Sequence, residues 1–433
     1  MNIGFLGAAG EVGRSCILVE NGRKKTLLDA GVKFKEGEAF PLLENRLIPK
    51  LNNVVLTHAH MDHSGYLPAL YAHGYKGKVM LTKPTRDLTQ VLLADYLRIS
   101  HDVPYDQAHV TKYLQHCQIL DYEREQAGVL LRTAGHILGS ATVTLNEGGH
   151  RILYTGDINL RDSRLLEGAK TDYRADTLII ESTYGADADR HLPTNEATRY
   201  LAESIKKTFK KGGKVIVPTF AIGRGQEVLF TIESQMRAKA IPNSPIYIDG
   251  MINKILKIYR NNSIHLNKEI QRRILTSDQD PFKSEHYHVP VRKDRGDVFQ
   301  HHKVIVLTTS GMLNGGPVLT YIKKLAPFPQ NKIILVGYQA EGTRGRELLA
   351  GADELTIDDR KVPINCEIDE AKFSAHSDQH ELLELVKRVK GLKRVYIVHG
   401  EKEKSEELAR AIQRRHSSVR VELPKLGEEF KFN

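Results

Sequence analysis

Thr57-His58-Ala59-His60-Met61-Asp62-His63 places four potential metal ligands, His58, His60, Asp62 and His63, within six positions. The apolar run Val54-Val55-Leu56 leads into it, which predicts a buried strand delivering the cluster at its carboxyl end. In extended backbone, residues two apart point the same way, so His58 and His60 would grip one metal from one side. Asp62 and His63 follow the turn, at the mouth of the helix that Tyr66, Leu67, Leu70 and Tyr71 predict, and would face a second metal. Imidazole and carboxylate are typical zinc donors, and a set that leaves open positions suits catalysis better than structure. A solvated histidine-rich loop is the plainer alternative; it fits a lone His better than this spacing directly after a strand.

The chain around this cluster is ordinary in composition. Its 433 residues, 40% hydrophobic and 27% charged, predict two or three soluble domains with a proper core. No apolar run is long enough for a transmembrane helix. The start, Met1-Asn2-Ile3-Gly4-Phe5-Leu6, reads as a strand and not as a signal peptide. The three cysteines, Cys16, Cys117 and Cys366, lie far apart without metal-type spacing, which predicts a reducing cytoplasm and no disulfide framework. A net charge of +10 suits a polyanionic substrate, although charge alone serves solubility equally well.

Further polar residues recur at strand ends. An Asn21-Gly22 turn predicts a hairpin whose second strand ends at Asp29, where a carboxylate could hold a metal-bound water or a ligand His. Val129 to Thr133 leads to His136 in a Gly-rich loop, the hairpin of 141–145 and 151–154 closes on Asp157, and Ala175 to Ile180 ends at Glu181. Ligands at strand ends of a layered α/β protein are what an active-site rim requires. From about residue 190 buried strands alternate with helices, which predicts a doubly wound parallel sheet. Within that stretch Arg224, Ser310, Gly311 and Arg344 sit on loops that follow strands, positions suited to phosphate. Beyond Val362 a hairpin-like pattern runs through Ser374, a further candidate contact to phosphate, then His376 and Asp378, and a later strand ends at His399. The middle module therefore interrupts the first.

His58-Ala59-His60-Met61-Asp62-His63 with Asp29, His136 and Asp157 resembles the motif series of the metallo-β-lactamase superfamily. Glu181 in Glu-Ser-Thr-Tyr-Gly, His376 in Phe-Ser-Ala-His-Ser-Asp and His399 in Val-His-Gly-Glu resemble the three motifs that mark its β-CASP nucleases. Phe220-Ala221-Ile222-Gly223-Arg224, Ser310-Gly311-Met312 and Gly342-Thr343-Arg344-Gly345 look more like the nuclease subunit of the cleavage and polyadenylation specificity factor than like RNase J. Because the chain starts at the catalytic domain, the resemblance is to the smaller archaeal-type homologues without amino-terminal KH domains.

The resemblance implies an αββα metallo-β-lactamase sandwich over 1–188 and 353–433, with an inserted β-CASP domain over 189–352. It implies two zinc ions: His58, His60 and His136 on one, Asp62, His63 and His399 on the other, Asp157 bridging, and Asp29 supporting the bridging water. Two such metals activate water and clamp a phosphodiester. His376 is then the candidate general acid, with Glu181 orienting its ring. A Ser/His-rich turn that merely caps the helix at residue 379 is the alternative for His376. The expected activity is hydrolysis of single-stranded RNA in the groove between the modules, by endonuclease or 5′→3′ exonuclease action, with homodimerisation and an RNA-processing or decay complex as expected partnerships. The rival readings are a metallohydrolase of a small ester or thioester, and a non-catalytic RNA-binding scaffold. The first needs neither the insertion nor His376, and the second is at odds with the complete ligand set.

Overall fold

Alternation at period two sorts the strand side chains into separate cores. Ile17, Val19, Leu28, Val55 and Met80 enter one hydrophobic cluster, whereas their chain neighbours Leu18, Leu27, Val54 and Val79 enter another. The computed structural model describes residues 1–34, 38–100, 102–276, 280–291 and 293–432. These cluster into two compact units, one of Met1–Asp162, Leu166–Arg190 and His376–Asn433, the other of Ser163–Leu165 and His191–Ala375.

The first unit is built on two sheets. One has seven strands in the order Glu429–Lys431, Asn2–Phe5, Ile17–Asn21, Lys24–Leu28, Asn53–Val55, Val79–Leu81, Cys117–Ile119. The other has six, in the order Arg420–Glu422, Arg394–Val398, Thr177–Glu181, His150–Tyr154, Ala141–Glu147, Val129–Thr133. Side chains from both sheets share the middle core, where Ile3, Phe5 and Ile17 meet Leu131, Val143, Ile179 and Val398. The first sheet's other face packs on Leu67, Tyr71, Leu93 and Val110 of the helices Leu67–Ala72, Lys83–Ile99 and Gln107–Gln115. The second sheet's other face packs on Leu382, Val386, Leu408 and Ile412 of Gln379–Arg388 and Lys402–Arg415. This is a helix–sheet–sheet–helix sandwich. Each fully buried aliphatic side chain contributes about 1.5–3 kcal/mol, and that burial anchors the polar loops above it.

Parallel pairing puts those loops on one rim of each sheet. Lys24–Leu28 runs parallel to Asn53–Val55, with Leu28 opposite Val55. Thr177–Glu181 lies between His150–Tyr154 and Arg394–Val398, parallel to both, with Glu181 opposite Val398. The carboxyl ends therefore lead together into Asp29, Thr57-His58, Asp157, Glu181 and His399. One glycine makes the crossing between loops possible. A Cβ on Gly31 would lie 1.7 Å from the Asp62 carbonyl oxygen, so only glycine lets the turn of Asp62 and His63 approach.

The second unit holds a six-stranded sheet in the order Tyr287–His288, Ile246–Asp249, Ile305–Thr308, Val215–Pro218, Lys332–Val336, Glu367–Ala371. All its pairings are parallel. Ile216, Val306, Ile333 and Leu335 pack one face against Tyr321, Ile322 and Leu348. The doubly wound α/β pattern is thus present, but the segment from residue 353 differs from expectation. The antiparallel hairpin is Glu354–Ile357 with Arg360–Pro363, and Glu367–Ala371 then adds to the sheet beside Lys332–Val336. Residues 353–375 accordingly cluster with the second unit, and the chain re-enters the first at His376. Glu367, Asp369 and Glu370 mark a charged edge strand, a composition that conceals its extended structure. Cys117 opens the strand Cys117–Ile119 at the edge of the seven-stranded sheet. Among the described residues no helix is long and apolar enough to cross a membrane.

Candidate active site

Three ring nitrogens converge above the first unit's strand ends. His58 Nε2 lies 3.2 Å from His60 Nδ1, which lies 3.1 Å from His136 Nε2. Asp157 Oδ2 faces this group, 3.5 Å from His58 Nε2 and 3.6 Å from His136 Nε2. A second group adjoins it. His399 Nε2 is 3.2 Å from Asp62 Oδ2, and Asp157 Oδ1 stands 3.2 Å from His63 Nε2 and 3.4 Å from His399 Nδ1. Within each group the ligand atoms lie within 4.8 Å of one another, and Asp157, Glu181 and His399 form a third such set. Asp157 therefore turns one oxygen to each of the two main groups.

Neighbouring polar groups fix which ring nitrogens are free. Asp29, at positive φ after its strand, accepts the Thr57 N–H at Oδ1 (2.8 Å) and the hydroxyls of Thr57 (2.8 Å) and Tyr154 (3.0 Å) at Oδ2. Its Oδ2 also lies 2.7 Å from His63 Nδ1, so that nitrogen carries the proton and Nε2 is left for a ligand. The Thr57 hydroxyl spends its hydrogen on Asp29 and can only accept from His58 Nδ1, 3.1 Å away. His58 Nε2 is then bare. Asp29 is fully buried with both oxygens engaged; of the two roles the sequence offered it, holding a metal-bound water or a ligand His, the contact to His63 matches the second.

The electrostatics fit a cation. Burial, reinforced by its histidine neighbours, pushes the His58 ring well below the usual imidazole range, and burial lowers His60 as well. Both are neutral donors. For Asp157, burial opposes ionisation, but His399, His63 and His58 hold the carboxyl well below its usual range. Asp62 is likewise lowered against burial by His63 and His399. His63 and His399 are raised in spite of burial, chiefly by Asp157. Asp157 Oδ1 is buried without a hydrogen-bond donor, a costly state that a metal ion relieves. The donor set, imidazole nitrogens with carboxylate oxygens, is that of zinc.

His376 stands beside this cluster, its ring centroid 4.5 Å from that of His136. Its Nδ1 lies 2.9 and 3.0 Å from the two oxygens of Glu181. Glu181 is wholly buried and also accepts the N–H of Ile158 (2.7 Å) and of Thr183 (3.3 Å). Burial alone would depress the His376 ring, but the charge and hydrogen bond of Glu181 hold it up at about 9.

The residues assigned to phosphate belong to the second unit. The Arg224 guanidinium is buried, paired with Glu227 at 2.9 Å. Arg344 donates to the carbonyls of Thr356, Leu313 and Asn314. Ser310 Oγ donates to the Gly315 carbonyl at 3.0 Å, and Gly311 packs against the backbone of Phe220. Ser374 lies in the same unit. In this structure both arginines brace their own loops. Thr57 and Tyr154, which anchor Asp29, were not singled out from sequence, although each adjoins a motif residue or its strand.

Models of known families match in three segments. Residues 9–208 match the metallo-beta-lactamase superfamily, 225–348 the Beta-Casp domain, and 361–424 the Zn-dependent metallo-hydrolase RNA specificity domain. A protein of Methanocaldococcus jannaschii named transcription termination factor FttA is 39% identical over 96% of this chain and 69% of its own length. The relative of that name in Pyrococcus abyssi is 38% identical over 95% of this chain and 68% of its own. The chain belongs to the β-CASP family of the metallo-β-lactamase superfamily. A crystal structure from Enterococcus faecalis V583, described as a protein of unknown function, aligns over 99% of both chains with a TM-score of 0.60 at 13% identity, a likeness of fold. As a β-CASP protein the chain is a metal-dependent hydrolase with an RNA-specificity segment, and that segment contains Ser374, His376 and His399.

Proposed function

We propose that this β-CASP hydrolase cleaves phosphodiester bonds of single-stranded RNA with two zinc ions and a His376–Glu181 acid. The observation that carries this is the placement of His376, paired with a buried glutamate and lying against the ring of a candidate ligand, His136. A thiolate leaves without a proton, so a thioester hydrolase has less need of that dyad.

His58, His60 and His136 would hold one ion and Asp62, His63 and His399 the other, with Asp157 shared. When bound, such a pair supplies Lewis acidity and a nucleophile from water at neutral pH. The protein's own residues do the rest. Asp29 keeps His63 in the tautomer that presents Nε2, and Thr57 does the same for His58. Glu181 holds the His376 ring protonated at Nδ1 and aims Nε2–H into the site. As the water oxygen bonds to phosphorus and the P–O3′ bond breaks, Nε2–H passes its proton to the departing 3′ oxygen. The products carry a 5′ phosphate and a 3′ hydroxyl. Protonation of this kind is worth about 10²–10⁴ in rate.

The relatives' name brings transcription termination into the proposal, as the process in which the RNA is cut. A reducing cytoplasm, which the three unpaired cysteines suit, homodimerisation and an RNA-processing complex belong to the same reading. The test is a time course on RNAs labelled at either end, with 5′ monophosphate and triphosphate compared. Metal-dependent fragments with 3′ hydroxyls support the assignment. Absence of cleavage by zinc-loaded protein would overturn it.

A further inference from the structure

Arg161 ends a loop that touches Glu181, the start of the His136 loop and the turn after His376. The loop begins at Asp157. Ile158 donates its N–H to Glu181 at 2.7 Å and accepts the Ser377 N–H at 2.7 Å. Asn159 donates to the Ala134 carbonyl at 2.8 Å, at the start of the His136 loop. A Cβ on the intervening Gly135 would meet the Asn159 carbonyl oxygen at 2.4 Å, so the two loops are in tight contact. Leu160 donates to Ser377 Oγ at 3.0 Å, next to His376.

The guanidinium closes the far end. Arg161 Nη2 binds Asp378 Oδ2 at 3.1 Å, and Nε pairs with Glu381. Those carboxylates are already joined. Asp378 accepts the Glu381 N–H, and Glu381 accepts the Asp378 N–H, each at 3.1 Å, in the capping box of helix Gln379–Arg388. The ion pair thus clamps the turn that carries His376 to the loop that carries Asp157. Asp378 is only 4% exposed and Glu381 14%, against 34% for Arg161, so the pair is partly shielded from water.

The geometry points to Arg161 as a positioning residue for phosphodiester cleavage, holding the acid His376 at a fixed spacing from the carboxylate Asp157. The inference rests on the assignment of His376 as the acid. Two other roles are chemically open to this arginine: a staple that only stabilises the helix end, and a direct contact to an RNA phosphate.

The experiment compares wild type, Arg161→Ala, Arg161→Lys and His376→Ala on labelled RNA and on bis(p-nitrophenyl) phosphate, with zinc content and thermal unfolding measured on each protein. The p-nitrophenolate group leaves without a proton, whereas a 3′ oxygen needs one. His376→Ala should be slow on RNA and near wild type on the activated diester. Arg161→Ala should show the same asymmetry in milder form, with kcat on RNA down about tenfold, a fraction of the full acid effect, and unchanged KM. Arg161→Lys should recover part of the loss. Equal loss on both substrates, loss confined to KM, or unfolding with unchanged kcat would each overturn the positioning role. Should His376→Ala itself lose equally on both substrates, the acid assignment fails, and the role of Arg161 fails with it.

Discussion

Asp29 shows how much of a metal site lies one bond away from the metal. Its carboxylate gathers Thr57, Tyr154 and His63, and through them sets two candidate ligands at once. Asp29→Asn would offer an N–H to donors and lose the orienting charge. Zinc affinity, followed by chelator competition, should fall about 10–100-fold, with the fold retained by circular dichroism; unchanged affinity would remove Asp29 from the support of His63. Glu181 acts on the acid in a similar way. The His376 imidazolium persists to about pH 9 because Glu181 overrides burial. As the proposed acid, His376 is protonated at lower pH and loses its proton as pH rises through that value, so the rate of RNA cleavage should decline there. Glu181→Gln removes the raising influence and should move this decline to lower pH. A limb that stays at the wild-type position would sever the link. For stability the sign runs the same way: a raised folded value contributes below the ordinary 6.5 and is lost as pH climbs through about 9.

Strand ends and the turns that follow them were legible in the sequence because apolar runs stop there at polar residues. Leu27-Leu28 runs into Asp29, and Val54-Val55-Leu56 runs into Thr57-His58. The cluster from His58 to His63 could be read because all its members lie on one turn. Elsewhere the signal failed for physical reasons. Glu367–Ala371 is an edge strand made of charges, so it lacks apolar alternation and its pairing to Lys332–Val336 is visible only in three dimensions. Arg224 and Arg344 follow strands, as phosphate-binding arginines do, yet their guanidinium groups brace Glu227 and nearby carbonyls. Position on a loop does not reveal where a long side chain goes. A ligand His was one of the two roles read for Asp29, but which His it holds was not legible, since its partners are spread from Thr57 to Tyr154. The turn of Asp62 and His63 supplies a prediction at this scale. Gly31→Ala pushes a methyl group into the Asp62 carbonyl. It should cost about 1–3 kcal/mol or more and reduce zinc retention. Gly315→Ala, with open space around the new Cβ, is the control and should change stability by less than about 0.5 kcal/mol. Equal behaviour of the two variants in thermal unfolding and metal content would show that the close approach at Gly31 is dispensable.

At the scale of the whole chain, charge decides how RNA is first held. Lysine and arginine total 63 against 53 aspartate and glutamate, a net +10, while the candidate metal site holds the carboxylates Asp62 and Asp157, which repel phosphate until metal arrives. RNA binding and RNA cutting should therefore separate. Chelator-treated protein should cut nothing, yet still bind single-stranded RNA through lysines and arginines outside the ligand cluster. Such binding releases counterions, and log K should fall with log salt at about −0.7 per phosphate neutralised. For about six contacts, raising salt from roughly 50 to 200 mM weakens binding by roughly 300-fold. Stacking of bases on aromatic rings would leave a much shallower dependence. Fluorescence anisotropy with a labelled oligonucleotide, on metal-free and zinc-loaded protein across a salt series, measures both. A steep slope in the metal-free protein, with tighter binding on adding zinc, fits a basic surface that delivers RNA to a metal-clamped site. A flat slope would mean that the positive charge serves only solubility, and loss of all binding with the metal would mean that the zinc site alone holds the RNA.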